Sequence, residues 1–247
     1  MPKWCSAEVT ARKVWTEGLF TLSIKVKDVL PYAPGQFLHL ALGGETDRIN
    51  RPYSVASPHG EVLEFFIVRV DDGELTPKLW DLKVGDPVEV SQRAAGSFTL
   101  KKTPAAEILW LVSTGTGLAP YVAMLRTDQP WEQFEKIVVV HGVRYAADLA
   151  YTEEFQNLES KYSGRFKFVQ SLTRETVDGT MNGRIPNLIE DGTLEKRVGW
   201  TMNKDNSSVL LCGNPAMLDD MEEKLGEREM KKHRTKSPGQ IVLERYW

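Results

Sequence analysis

The stretch "EILWLVSTGTGLAP", Glu107 to Pro120, decides how the second half of the chain is read. An apolar run from Ile108 to Val112 ends at a Gly-Thr-Gly turn and passes into the helical pattern "LAPYVAMLRT". A run without alternation suits a strand buried on both faces, which a parallel sheet provides. In a doubly wound sheet, the turn after such a strand is where a dinucleotide diphosphate lies. Glycines there let the backbone approach, and a helix N-terminus favours an anion. "GTGLAP", Gly115 to Pro120, is not a full GxGxxG, and no acidic residue follows at the usual distance, so a plain tight turn also accounts for it.

From this stretch to the end the texture repeats. The apolar runs "KIVVVHGV", "RFKFVQSLT" and "SVLLCGN" alternate with the helical stretches "DLAYTEEFQNLESKY" and "AMLDDMEEKLGERE". Apolar strands alternating with amphipathic helices predict a doubly wound α/β domain with a parallel sheet over residues 102–247. Before it the chain reads differently. "VTARKVWTEGLFTLSIKV", "GQFLHLALG", "YSVAS", "VLEFFIVRV", "DPVEVSQ" and "SFTL" are short β-rich runs separated by Gly, Pro and Asp, with one helix-like insert at "TPKLWDLK". Close-spaced strands with turn signals predict an antiparallel barrel or sandwich over residues 1–101.

Bulk properties exclude some classes. At 247 residues the chain accommodates two domains of about 100 to 150 residues, each with its own core. Hydrophobic residues at 41%, charged residues at 26% and a formal net charge of -3 are ordinary for a folded protein and argue against a general nucleic-acid binder. "MPKWCSAEVT" lacks the apolar run of a signal peptide, and no stretch has the roughly 18 apolar residues of a membrane span, so a cytoplasmic protein is expected. Cys5 and Cys212 are expected to be thiols rather than a disulfide. No metal site is expected.

Two of the apolar runs lead into basic residues, and a later short stretch adds another. "HGVRY" supplies Arg144, "SLTR" supplies Thr173 and Arg174, and "MNGR" supplies Arg184. Ligands of open α/β sheets bind at the carboxyl ends of strands, and guanidinium groups with a hydroxyl suit a phosphate dianion. Two arginines directly after successive strands point to NADP rather than NAD, although any one of them is equally at home on a solvated surface. "LLCGNP" places Cys212 and Gly213 at the end of a buried strand, where a cysteine is most simply a small core residue. In the β-rich half, "RPYS" offers Arg51, Pro52, Tyr53 and Ser54. Pro52 holds Arg51 extended, and alternation sends Arg51 and Tyr53 to one side and Ser54 to the other. An edge strand of no special role has the same composition.

Taken in order, "RPYS", then "GTG" with a later proline, then "CGNP" and a terminal "ERY" motif resemble the ferredoxin–NADP reductase family over nearly the whole chain. The ending in Tyr-Trp looks most like its bacterial members. The resemblance implies a six-stranded antiparallel β-barrel that holds FAD, followed by the α/β domain that holds NADP(H). It implies that Arg51 pairs with the FAD diphosphate, Tyr53 packs on the flavin and Ser54 lies near flavin N5. "DDGELTP" matches a second diphosphate loop, giving Glu74, Leu75 and Thr76 as FAD contacts. Phe66 either lines the flavin site or belongs to the core. Gly115 and Thr116 become nucleotide contacts, with Thr116 reaching both flavin and nicotinamide. Arg144, Thr173, Arg174 and Arg184 match the 2′-phosphate pocket. Cys212 and Gly213 lie beside the nicotinamide, and Glu244 tunes hydrogen bonding around N5.

The tail "ERYW", Glu244 to Trp247, is then accounted for by the same resemblance. Tyr246 is expected to stack on the flavin where nicotinamide must land, and Trp247 on the FAD adenine, or the two are reversed. A ring that must be displaced before hydride transfer would gate it, so deleting both residues is expected to narrow the preference for NADPH over NADH. The implied activity is an FAD-dependent reductase passing electrons between NADPH and ferredoxin or flavodoxin, expected as a monomer. The alternative is a free-flavin reductase or the reductase component of an oxygenase system. "KKHRTK", Lys231 to Lys236, is a candidate docking face for an acidic carrier, or simply a solvated loop.

Overall fold

The structure, a computed structural model, describes residues 3–245. The antiparallel and parallel sheets expected from sequence are both present. In the first, β1 (Trp4–Thr16), β2 (Leu19–Val26), β3 (Phe37–Leu42), β4 (Ile49–Ser54), β5 (Val62–Val68) and β6 (Pro87–Ser91) pair in the order β4-β3-β6-β1-β2-β5. All of these pairings are antiparallel. The sheet curls until its edges meet at a Val55–Phe65 bridge, tied by Ala56 N–H donating to the Glu64 carbonyl at 2.8 Å. Alternation drives the curl: Phe20, Leu22 and Ile24 on β2, Leu38 and Leu40 on β3, Leu63, Phe65 and Ile67 on β5, and Val88 and Val90 on β6 fill its inside.

Two details differ from the sequence reading. "SFTL", Ser97 to Leu100, is not a strand: Thr99 N–H turns back to the Ser97 carbonyl at 2.9 Å, and Leu100 begins a short 3-10 turn over Leu100–Lys102. Its apolar residues, Phe98 and Leu100, are buried without joining the sheet. The sixth strand comes instead from "VTARKVWTEGLFTLSIKV", which folds as the β1–β2 hairpin. The insert α1 (Thr76–Asp81) forms where expected.

The parallel sheet contains β7 (Ile108–Thr114), β8 (Lys136–Val143), β9 (Phe166–Leu172), β10 (Met181–Asn182), β11 (Ser207–Gly213) and β12 (Ile241–Arg245), ordered β10-β9-β8-β7-β11-β12. The direction of winding reverses between β7 and β11, which makes their carboxyl ends the topological switch point. One face packs Trp110, Val112, Val140 and Leu211 against α5 (Ile185–Glu190), α6 (Thr193–Val198) and α7 (Pro215–Glu227). The other face meets the aromatics of α3 (Gln129–Gln133) and α4 (Thr152–Lys161). Trp131 lies edge-on to Phe166 at 5.6 Å, and Phe155 lies 4.8 Å from Phe168. Burial on both faces explains why these strands read as continuous apolar runs.

By internal contacts the chain divides into Met1–Leu100 with Ala119–Thr127, and Lys101–Leu118 with Asp128–Trp247. The helix α2 (Ala119–Leu125) therefore clusters with the curled sheet. Arg126, just past it, donates to the Ala56 carbonyl at 3.2 Å and pairs with Glu64 at 2.9 Å.

Candidate functional site

In the first unit, "RPYS" forms the edge strand β4. Pro52 suits an edge because it lacks the N–H that a central strand would need. Arg51 and Tyr53 oppose Leu40 and Leu38, while Ser54 opposes Phe37 on the other face, as alternation requires. The Tyr53 ring packs against the core, and burial pushes its hydroxyl up to about 12, against a smaller opposing pull from Arg51. Arg51 is exposed and pairs with Glu74 at 2.5 Å. An exposed pair of this kind is worth at most about 1 kcal/mol, so a more highly charged anion displaces the carboxylate. Ser54 is 4% exposed, and its Oγ is buried without a hydrogen-bond partner among the described residues.

The Glu74–Thr76 segment is tightly wound. Thr76 Oγ1 accepts from Val70 N–H at 2.9 Å and faces the Val70 carbonyl at 3.2 Å. The Thr76 hydroxyl, expected to contact FAD, thus already staples the turn, leaving only residual acceptor capacity for a ligand. Leu75 is buried. Phe66 is 3% exposed and meets Trp15 edge-on at 6.4 Å, so its core reading has direct support.

In the second unit the Gly-Thr-Gly turn is a 3-10 turn, Gly115–Leu118, at the end of β7. Its close neighbour is the end of β11. A Cβ on Gly117 would stand 2.4 Å from the Cys212 carbonyl oxygen, and one on Gly213 would stand 2.3 Å from Thr114 Oγ1. Gly213 also has φ +137°, which side-chain-bearing residues rarely adopt. Thr114 Oγ1 accepts from Asn214 N–H at 2.9 Å, and the Asn214 side chain caps α7 by accepting from Ala216 N–H at 2.9 Å. The two strand ends thereby form a cradle with bare backbone on both sides.

Beside this cradle the parallel register sets Cys212 level with Ser113 on one side and Glu244 on the other. Cys212 is fully buried. The Glu244 carboxyl is pushed up to about 7 by burial, and its Oε2 has no partner among the described residues. Below the turn lies His141, which the sequence reading passed over. Its Nε2 is 3.0 Å from the Gly115 carbonyl, which can only accept, so Nε2 carries the proton. Full burial holds the ring at about 4, and Nδ1 is left without a partner among the described residues. The available signal was a histidine inside the "KIVVVHGV" run, where a polar residue needs a reason.

The arginines follow the carboxyl ends of β8, β9 and β10. Arg174 N–H donates to the Arg144 carbonyl at 3.0 Å, and Thr173 N–H to the Val143 carbonyl at 3.1 Å. The Thr173 hydroxyl reaches the same Val143 oxygen at 3.4 Å. Arg184 precedes α5 and lies 3.4 Å from Asp220 of α7. Arg144 and Arg174 are exposed. Tyr246 and Trp247 lie outside the described residues.

Comparison with known proteins identifies both domains. Residues 7–98 match the model of the oxidoreductase FAD-binding domain, and residues 111–223 that of the oxidoreductase NAD-binding domain. The flavodoxin/ferredoxin–NADP reductase of Escherichia coli (strain K12) is 44% identical over 249 residues, covering 100% of both chains. The chain belongs to the flavodoxin/ferredoxin–NADP reductase family. Another relative, the ferredoxin–NADP reductase of Azotobacter vinelandii, is 33% identical over 94% of this chain and 93% of its own. A solved family structure, the ferredoxin NADP+ reductase of Neisseria gonorrhoeae with bound FAD and NADP, superposes with a TM-score of 0.94 at 25% identity over the full length of both chains.

Against these family cofactors the donor set can be tested on its own chemistry. The orphaned Ser54 Oγ and the exposed Arg51 fit a flavin nucleotide, which carries both polar ring atoms and a diphosphate. Gly115, where an added Cβ would meet nothing within 4 Å, leaves the turn open to the close approach of a nicotinamide nucleotide. Among the described residues no helix is long and apolar enough to cross a membrane.

Proposed function

We propose that this protein is an FAD-dependent reductase that takes a hydride from NADPH and passes electrons singly to ferredoxin or flavodoxin. The observation that carries the reading is the position of Arg144, Arg174 and Arg184 just past the ends of the adjacent parallel strands β8, β9 and β10, beginning one strand away from the glycine cradle at the switch point.

Bound FAD supplies the conversion between two-electron and one-electron transfer that no side chain provides. The chain's own residues bind, orient and protonate. Arg51, Pro52, Tyr53, Ser54, Phe66, Glu74, Leu75 and Thr76 are assigned to FAD, with the Arg51 guanidinium on the diphosphate. Gly115, Thr116, Cys212 and Gly213 are assigned to the nicotinamide half of NADPH, where bare backbone lets the ring lie close. Arg144, Thr173, Arg174 and Arg184 take the 2′-phosphate, which NADH lacks. Glu244, raised to about 7, holds a proton at its carboxyl near neutral pH and can release it within the working range. Tyr246 and Trp247 enter as the aromatic tail that stacks on the cofactor.

The carrier, being commonly acidic, needs a basic face, and the exposed Lys231, Arg234 and Lys236 of the loop before β12 offer one. The reading places a monomer in the cytoplasm, and cysteines Cys5 and Cys212 that form no disulfide suit that reducing compartment.

An anaerobic titration of the purified protein with NADPH and then NADH, followed by flavin absorbance, tests the proposal. Yellow protein bleached much faster by NADPH is expected. Yellow protein that prefers NADH overturns the 2′-phosphate assignment, and a colourless protein that takes up no FAD overturns the function. Flavin lost on gel filtration would favour the free-flavin reductase instead.

A further inference from the structure

The loops that carry the three arginines are tied to one another. Part of the tie is backbone pairing: Arg174 to Arg144 at 3.0 Å, Thr173 to Val143 at 3.1 Å, and Gly183 to Leu172 at 2.8 Å. The rest runs through Glu175. Its carboxylate accepts the N–H of Ala146, two residues beyond Arg144. Its carbonyl accepts from Asn182 Nδ2 at 2.8 Å, two residues before Arg184, and the same amide reaches Thr176 Oγ1 at 3.0 Å. Glu175 itself directly follows Arg174. One residue therefore joins all three loops, its side chain holding one neighbour and its backbone the other.

A carboxylate next to a phosphate site weakens anion binding by like-charge repulsion, so its presence there calls for a compensating role. Accepting a backbone N–H in a loop outside regular structure is such a role, since a charged acceptor makes a stronger bond than a neutral one. We infer that Glu175 is a positioning residue for nucleotide choice: it braces the loops after β8, β9 and β10 so that Arg144, Arg174 and Arg184 meet one 2′-phosphate. This inference rests on the NADPH reading above and adds to it a residue that touches no ligand.

Two substitutions separate the brace from the charge. In Glu175→Gln the amide oxygen still accepts the Ala146 N–H and the negative charge is gone. In Glu175→Ala the side-chain tie to Ala146 is lost, while the backbone tie to Asn182 stays. Isothermal titration of the purified holoprotein with 2′,5′-ADP and with 5′-AMP reads 2′-phosphate recognition without turnover. Glu175→Ala is expected to weaken 2′,5′-ADP about five- to tenfold while 5′-AMP stays within about twofold. Glu175→Gln is expected to match or exceed wild-type affinity for 2′,5′-ADP. An alanine variant that binds 2′,5′-ADP like wild type, or that loses both ligands equally, overturns the brace, as does a glutamine variant that falls as far as alanine. Wild-type protein that fails to distinguish the two ligands overturns the 2′-phosphate reading itself, and the brace with it.

Discussion

His141 donates its Nε2 proton to the Gly115 carbonyl at 3.0 Å from within a fully buried ring whose Nδ1 has no partner among the described residues. The ring is therefore a neutral prop under the nucleotide turn. Its folded value of about 4 lies below the ordinary 6.5, so the unfolded chain binds the extra proton between those limits. Its stabilising contribution is complete above about 6.5 and is lost as pH falls toward 4, with a slope of at most about 1.4 kcal/mol per pH unit. Urea unfolding at pH 7 and pH 5 should show a smaller pH-dependent loss in His141→Gln, which keeps a donor but cannot titrate. His141→Leu should cost about 1–3 kcal/mol at pH 7, because the Gly115 carbonyl loses its buried partner. Equal pH slopes in wild type and His141→Gln would rule out the buried neutral ring.

Glu244 has the opposite sign. Burial raises its carboxyl from 4.5 to about 7, so the folded state holds the proton more tightly than the unfolded one. That contribution is complete below about 4.5 and is lost as pH rises through 7. Glu244→Gln should gain stability relative to wild type as pH goes from 5 to 8. A difference that stays flat over that range would mean the carboxylate is solvated. Because the His141 and Glu244 slopes oppose each other between pH 4.5 and 6.5, the wild-type profile alone hides both, and the single variants expose them.

Gly213→Ala meets two penalties, a φ of +137° and a Cβ placed 2.3 Å from Thr114 Oγ1 and 2.8 Å from the Thr114 carbonyl. It should cost upwards of about 2 kcal/mol, lowering Tm by at least about 4 °C in a chain of this size. Gly164→Ala is the control, since Gly164 has φ +79° and nothing within 4 Å of an added Cβ. Backbone strain alone there should cost about 1 kcal/mol. If thermal unfolding finds equal losses, close approach of the two strand ends is not what demands glycine at 213.

Charge on the loop before β12 is tested kinetically. Lys231 is exposed, and Lys232 lies 4.0 Å from Glu222, a weak pair that leaves its charge available. Replacing both with Glu should raise the KM for an acidic carrier at low salt and have progressively less effect as salt rises, with NADPH oxidation by a small artificial acceptor unchanged. An unaltered carrier KM at low ionic strength moves the docking face elsewhere.

Much of the candidate site was legible because its residues are forced by local chemistry. Glycines at 117 and 213 stand where backbone must approach backbone, Gly115 sits at a positive φ of +54°, and Pro52 stands on an edge strand because a central strand would need its N–H. "SFTL" misled because a short apolar run looks the same whether it joins a sheet or merely plugs a core, and only the pairing partner distinguishes them. The Thr76 hydroxyl also takes the Val70 N–H six residues earlier, a local bond that the sequence reading did not foresee.

The sequence by itself determined the two sheets and their order, since period-two alternation and continuous apolar runs are properties of consecutive residues. It also determined which chemistry-bearing side chains exist. Only the tertiary structure decided who stands beside whom. The register that sets Cys212 level with Glu244, the prop that His141 offers Gly115, and the tie that Glu175 makes to Ala146 each join residues 26 or more positions apart. Such pairings depend on how separate strands align once their apolar faces are buried, and no local pattern in the chain encodes that alignment.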